Sequence, residues 1–142
     1  MTRRKIRENV FKMLFRVEFH EKEDFGEQLT LFGGELDQGI DEELEEIRLI
    51  GDEDLAYINN KCNDIMAHLT EIDTQINEKS TGWKTTRMGK VDLTIIRLAV
   101  YEILFEDDIP NKVAINEAVE LAKAYGTDDS SSFVNGILAK FV

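Results

Sequence analysis

Apolar residues recur along this chain at intervals of three and four and almost nowhere in strict alternation, which predicts helices throughout. Ile6, Val10, Met13, Leu14 and Val17 form the first stripe, widened by Phe11 and Phe15, and predict a helix from about Thr2 to His20. The longest stripe is Leu55, Ile58, Cys62, Ile65, Leu69, Ile72 and Ile76, predicting one long helix with Asp52 or Asp54 as its cap. It reads either as the spine of a bundle or as a dimer seam, and a homodimer is carried as a partner expectation. From Val91 to Phe105 the chain is nearly all apolar, broken only by Asp92, Arg97 and Glu102, which marks a central helix covered on every side.

The remaining pattern supplies the shorter elements. Lys112 to Tyr125 reads as an amphipathic helix, with Lys123 in its last turn and Gly126 at the C′ position. Asp128, Asp129 or Ser130 then caps a final helix bearing Phe133, Val134, Ile137, Leu138 and Phe141. Ser80-Thr81-Gly82 breaks the chain ahead of Trp83 and a turn ending near Met88-Gly89. Residues 21–51 are the least regular part. There Phe25, Leu29, Leu31 and Phe32 precede Gly33-Gly34 and an acidic run from Glu35 to Glu46, with Leu36, Ile40, Leu44 and Ile47 spaced for a short helix. The expected fold is an all-α compact bundle of about seven helices, occupying residues 1–142 as a single domain.

Charge changes the picture at one end. The chain carries a net −12, yet Arg3, Arg4, Lys5, Arg7, Lys12 and Arg16 oppose only Glu8 within the first 16 residues. That segment is therefore +5 and the remainder −17. Cations in the first turns of a helix sit against its positive end, at a cost of up to ~1 kcal/mol each. A local rule broken without visible compensation marks a candidate functional site, here one for a polyanion. An acidic body repels nucleic acid at long range, so a local cationic patch carries more meaning than it would in a basic protein.

Other chemistry finds little support. His20 and His68 have no ligand partners at metal spacing, so no metal or other cofactor is expected. Cys62 lies on an apolar stripe and reads as a buried small hydrophobe rather than a nucleophile. Gly33-Gly34 lacks the strand, Lys and Ser/Thr of a phosphate loop, and nothing asks for catalysis. A single cysteine, no apolar run of membrane length and no signal-peptide core fit a cytoplasmic setting.

Two segments carry a specific resemblance. Lys112-Val113-Ala114-Ile115-Asn116-Glu117-Ala118-Val119-Glu120-Leu121-Ala122-Lys123 precedes Tyr125-Gly126 and Phe133-Val134-Asn135-Gly136-Ile137-Leu138. Asp92 and Ile96-Arg97-Leu98-Ala99-Val100-Tyr101-Glu102-Ile103-Leu104 stand ahead of them. With the opening Arg3-Arg4-Lys5-x-Arg7-Glu8, the chain resembles the NusB family of transcription antitermination proteins. The likeness runs end to end, strongest from Val91 and weakest between about Phe19 and Gly51. The acidic stretch 35–46 matches no motif of that family, and the chain stops at Val142 without the basic tail of some relatives.

The resemblance implies two bundle-like helical halves and a non-catalytic RNA-binding adaptor. Its partners would be the boxA-type single-stranded RNA of ribosomal RNA leaders, the NusE ribosomal protein and the RNA polymerase antitermination complex. Arg3, Arg4, Lys5 and Arg7 carry over as phosphate contacts, with Lys12 and Phe15 on the next turns of the same face. The region of Tyr125, Asp129 and Phe133 is also implied in RNA contact, and Asp92 in binding NusE. The aromatics suit that role, since unpaired bases stack on such faces. Tyr125 is assigned to RNA, Phe11 and Phe141 to the core, and Phe15 and Phe133 are open between the two. Asn116 and Asn135 are expected to tie helix ends to loops, Gly136 to allow close helix approach, and Glu117 and Glu120 to pair with Lys112 or Lys123. A helical module of the kind attached to RNA methyltransferases, and a protein scaffold docking its basic helix on acidic partners, are the competing readings.

Overall fold

A computed structural model describes residues 1–17 and 50–142, and among these it contains six α-helices, two 3-10 turns and no strand. They are α1 (Arg3–Val17), α2 (Asp52–Ala67), α3 (Leu69–Lys79), α4 (Lys90–Phe105), α5 (Asn111–Tyr125) and α6 (Ser130–Leu138). The 3-10 turns are Thr85–Arg87, before α4, and Ala139–Phe141, after α6. The irregular segment, its acidic run 35–46 and the proposed end of the first helix at His20 lie outside the described residues. Two compact units divide the chain, residues 1–63 and 64–142.

In the first unit the apolar stripe of α1 is the core. Val10, Phe11, Met13, Leu14 and Val17 are buried, and so are Ile50, Ile58 and Cys62. The Cys62 thiol donates to the Val10 carbonyl at 3.7 Å, fastening α2 to α1 within this unit. Asp52, Glu53 and Asp54 occupy the first turn of α2, where its dipole favours negative charge. Asp54 also meets the N-terminal ammonium of Met1 at 3.5 Å.

The long stripe is two helices rather than one. His68 leaves helical geometry (φ −104°, ψ 11°), and its ring Nδ1 lies 2.8 Å from the Asp64 carbonyl. The Asp64 carbonyl still accepts from the His68 amide at 3.1 Å and the His68 carbonyl from the Ile72 amide at 2.9 Å, so the ladder continues across the irregular residue and α3 restarts at Leu69. The stripe is still buried in each unit: Ile58 and Cys62 in the first, and Ile65, Ile72 and Ile76 in the second, are fully buried.

The second unit is built around α4, which packs against α3, α5 and α6, while α5 packs against α6. Leu93, Ile95, Ile96, Leu98, Ala99 and Val100 are buried on several faces of α4, as its all-round apolar sequence requires. Its polar exceptions have distinct fates. Arg97 makes a two-pronged pair with Asp73 of α3 at 2.7 and 2.8 Å, and Glu102 is fully buried. Tyr101 donates its hydroxyl to the Asp64 carboxylate.

Three local expectations are corrected. Asn116 and Asn135 are exposed and make no side-chain hydrogen bond, so they tie nothing. Gly136 is exposed, and among the described residues a Cβ there would meet nothing within 4 Å, so none of their helices approaches it closely. The last helix has Asp129 at its N-cap position without a side-chain cap; Ser130 Oγ instead accepts from Thr127 N at 2.9 Å. Glu120 does pair with Lys123, at 3.6 Å on the surface.

Candidate nucleic-acid interface

The cation-rich end of α1 carries its own offset to the unfavourable dipole. Thr2 Oγ1 accepts from the Lys5 amide at 3.1 Å, capping the helix from just outside it. Glu8 lies between Lys5 (3.3 Å) and Lys12 (3.6 Å), so one carboxylate serves two ammonium groups one turn to either side. Asn9 donates to the Lys5 carbonyl at 2.9 Å. Arg3, Arg4 and Lys5 are exposed, and Lys12 is half-buried. Arg7 is different: only 8% of it is accessible, so its guanidinium belongs to the packed side of the helix. Phe15 is half-buried, with its ring centroid 6.1 Å from that of buried Phe11.

In the second unit the loop between α5 and α6 assembles the other candidates. Tyr125 ends α5 and is 38% exposed; Asp129, exposed, stands immediately before α6. Gly126 closes α5 with an extended backbone (φ −93°, ψ −167°), so its role is space rather than a left-handed turn. A Cβ there would lie 2.4 Å from both Cβ and Oγ of Ser130 and 2.7 Å from the Ala122 carbonyl. Ser130 N in turn donates to the Thr127 carbonyl at 3.1 Å, so the loop is drawn tight. Tyr125 and Asp129 are thereby held on one short turn.

Phe133 is half-buried one turn into α6, and its ring meets Trp83 edge to face, with centroids 5.1 Å apart at 74°. The sequence pattern placed Trp83 only in a connecting turn, and no periodicity marks its contact with Phe133, 50 positions on. Asp92 lies in the first turn of α4, half-buried. The site residues therefore group as Arg3, Arg4, Lys5, Arg7, Lys12 and Phe15 on α1 in one unit, and Asp92, Tyr125, Asp129 and Phe133 in the other.

Buried Cys62 has its thiol pushed well above its ordinary range by burial, against a smaller opposing effect of Lys61. Such a thiol stays protonated and is no nucleophile. Among the described residues no group of three His, Cys, Asp or Glu is placed to hold a metal, and no helix is long and apolar enough to cross a membrane.

Fold and site together define a small all-helical protein with a capped cationic helix and a separate aromatic turn. The NusB family model matches residues 4–142. A transcription antitermination protein NusB from Agathobacter rectalis is 63% identical over 141 residues, covering 99% of each chain. Among solved structures, T. maritima NusB is 37% identical with a TM-score of 0.80, covering 99% of this chain and 90% of that one. The fold also matches a chain from a crystal structure of the antitermination factors NusB and NusE in complex with dsRNA, at 24% identity and a TM-score of 0.76, covering 99% of this chain and 97% of that one. The chain belongs to the NusB family of transcription antitermination proteins.

Proposed function

We propose that this protein is a non-catalytic adaptor that binds boxA-type single-stranded RNA of ribosomal RNA leaders together with a NusE-type ribosomal protein, within the RNA polymerase antitermination complex in the cytoplasm. The observation that carries the reading is the capped first helix, which presents Arg3, Arg4 and Lys5 to solvent on a protein of net −12. Cations kept on an acidic chain, and at the helix end where they are least favoured, have a polyanion as their natural counterpart. Family membership supports the antitermination role, and a chain of the same fold, solved as NusB with NusE in complex with dsRNA, is compatible with RNA and a NusE-type protein as the partner classes.

Within this reading Arg3, Arg4 and Lys5 contact phosphates, and Lys12 extends the track by one turn. Arg7, being buried, positions the helix from behind, which refines its expected role as a phosphate contact. Tyr125 offers a partly exposed ring to an unpaired base, and Asp129 beside it can accept from base amino groups. Asp92 contributes to the NusE-facing surface.

The test is binding of a labelled boxA-type RNA, with and without the NusE-type protein, by Arg3→Glu/Arg4→Glu and the unaltered chain. The expected result is loss of RNA binding with partner binding intact. Joint loss of both would favour the scaffold reading, in which the basic helix docks on an acidic partner. A duplex of the same sequence should bind more weakly, because stacking needs unpaired bases.

A further inference from the structure

A second cationic segment lies far from the first in sequence. Between Glu78 and Asp92 the chain carries Lys79, Lys84, Arg87 and Lys90 and no acidic residue, in a molecule with 29 acids and 17 cations. All four are exposed. In their midst stands Trp83, the only tryptophan of the chain, with 49% of its surface accessible. A large aromatic left half in water among cations is an unusual expense for a folded chain.

The turn that presents it is firmly built. Ser80, fully buried, has its Oγ 2.6 Å from the Ile76 carbonyl and 2.5 Å from the Trp83 carbonyl. The Trp83 amide donates to the Ser80 carbonyl at 2.9 Å, and Gly82 takes the left-handed conformation (φ +90°) that the reversal requires. On the far side Asn77 Oδ1 accepts from the Thr85 amide at 2.8 Å. The indole is thus clamped at its backbone and braced by the Phe133 ring, while much of its surface faces solvent. Preorganised aromatic faces flanked by cations are what single-stranded nucleic acid stacks upon.

We propose that Trp83, braced by Phe133 and flanked by Lys84 and Arg87, is a base-stacking subsite that takes one unpaired RNA base, the two cations holding the adjacent phosphates. The proposal rests on the RNA-binding reading above and extends it from the Tyr125–Asp129 turn to a residue on another segment.

Because Trp83 is the sole tryptophan, its emission reports the contact directly in the unaltered protein. The experiment titrates the full chain with boxA-type single-stranded RNA, following indole emission with unlabelled RNA and anisotropy with labelled RNA. Saturable quenching with the same midpoint as the anisotropy is expected. Trp83→Ala should weaken binding by about tenfold, while Trp83→Phe, which keeps a stacking face, should stay within about threefold. Lys84→Gln/Arg87→Gln should weaken binding with the indole in place, which separates the subsite from any folding defect.

Binding by anisotropy with unchanged emission, and Trp83→Ala within about twofold of the parent, would overturn the subsite and leave the RNA reading intact. Quenching that survives Arg3→Glu/Arg4→Glu would instead support the subsite and unseat the first helix as the anchor. Absence of RNA binding by both readouts, with and without the NusE-type protein, would overturn both.

Discussion

Arg97 and Cys62 show what single positions contribute to this fold. Arg97 is the one cation within the run Val91–Phe105, and its fork closes on both oxygens of Asp73, with 12% and 24% of the two side chains exposed. Removing the carboxylate leaves a largely buried guanidinium without its main acceptor, so Asp73→Ala should lower stability by about 1.5–3 kcal/mol in denaturant titration. The sequence marks Arg97 as an exception on its helix, but its partner is 24 residues away on another element, and nothing local names it. Asn116 and Asn135 show the reverse. A poor helix former suggested a tertiary bond, and the amides simply face water.

Cys62 has a pH signature of its own. The unfolded chain's thiol ionises near its ordinary value of 9.0, while burial raises the folded one well beyond it. A raised folded value gives a contribution that is complete below the unfolded value and lost as pH rises past it. Stability should therefore fall above about pH 9, and Cys62→Ala should flatten that alkaline limb even though it lowers stability at neutral pH by opening a cavity. Thermal unfolding across pH 7 to 10 reads both effects.

At the level of elements, two glycines of the same region have opposite reasons for being there. Gly126 is required by crowding: Gly126→Ala drives a methyl group into Ser130 and the Ala122 carbonyl, and should cost about 1–3 kcal/mol while disturbing the Tyr125–Asp129 turn. Gly136 sits on the exposed face of α6 with open space around it, so Gly136→Ala should raise stability by about 0.5–1 kcal/mol. Paired melting curves test both signs at once. Helix existence was well legible from the apolar stripes, as were the breaks after Lys79 and Phe105. The division at His68 was not, because the stripe runs through it without a change of phase. A single residue out of helical geometry, with amide hydrogen bonds continuing on either side of it, leaves the hydrophobic pattern intact.

Across the whole molecule, the informative quantity is where charge departs from its average. The first cationic cluster was legible because six cations stand against one acid at the start of the chain. The second is diluted by the polar turn around Trp83, and only the ring contact with Phe133 gathers it into a site. Their contributions separate in a salt series. About four phosphate contacts on the first helix give a slope of roughly −3 in log K against log salt. Engaging Lys84 and Arg87 as well steepens it to about −4, and Lys84→Gln/Arg87→Gln should return it to roughly −3. Slopes equal in parent and variant would confine RNA to the first helix.

The lone cysteine and the lone tryptophan fall in different units, the first fully buried and the second half exposed. Thiol labelling can occur only when the first unit opens, whereas indole emission follows the surroundings of one turn in the second. The chain thus carries a separate, naturally placed reporter for each half. A ligand or denaturant that loosens one half before the other will move one signal and leave the other still, with no residue replaced.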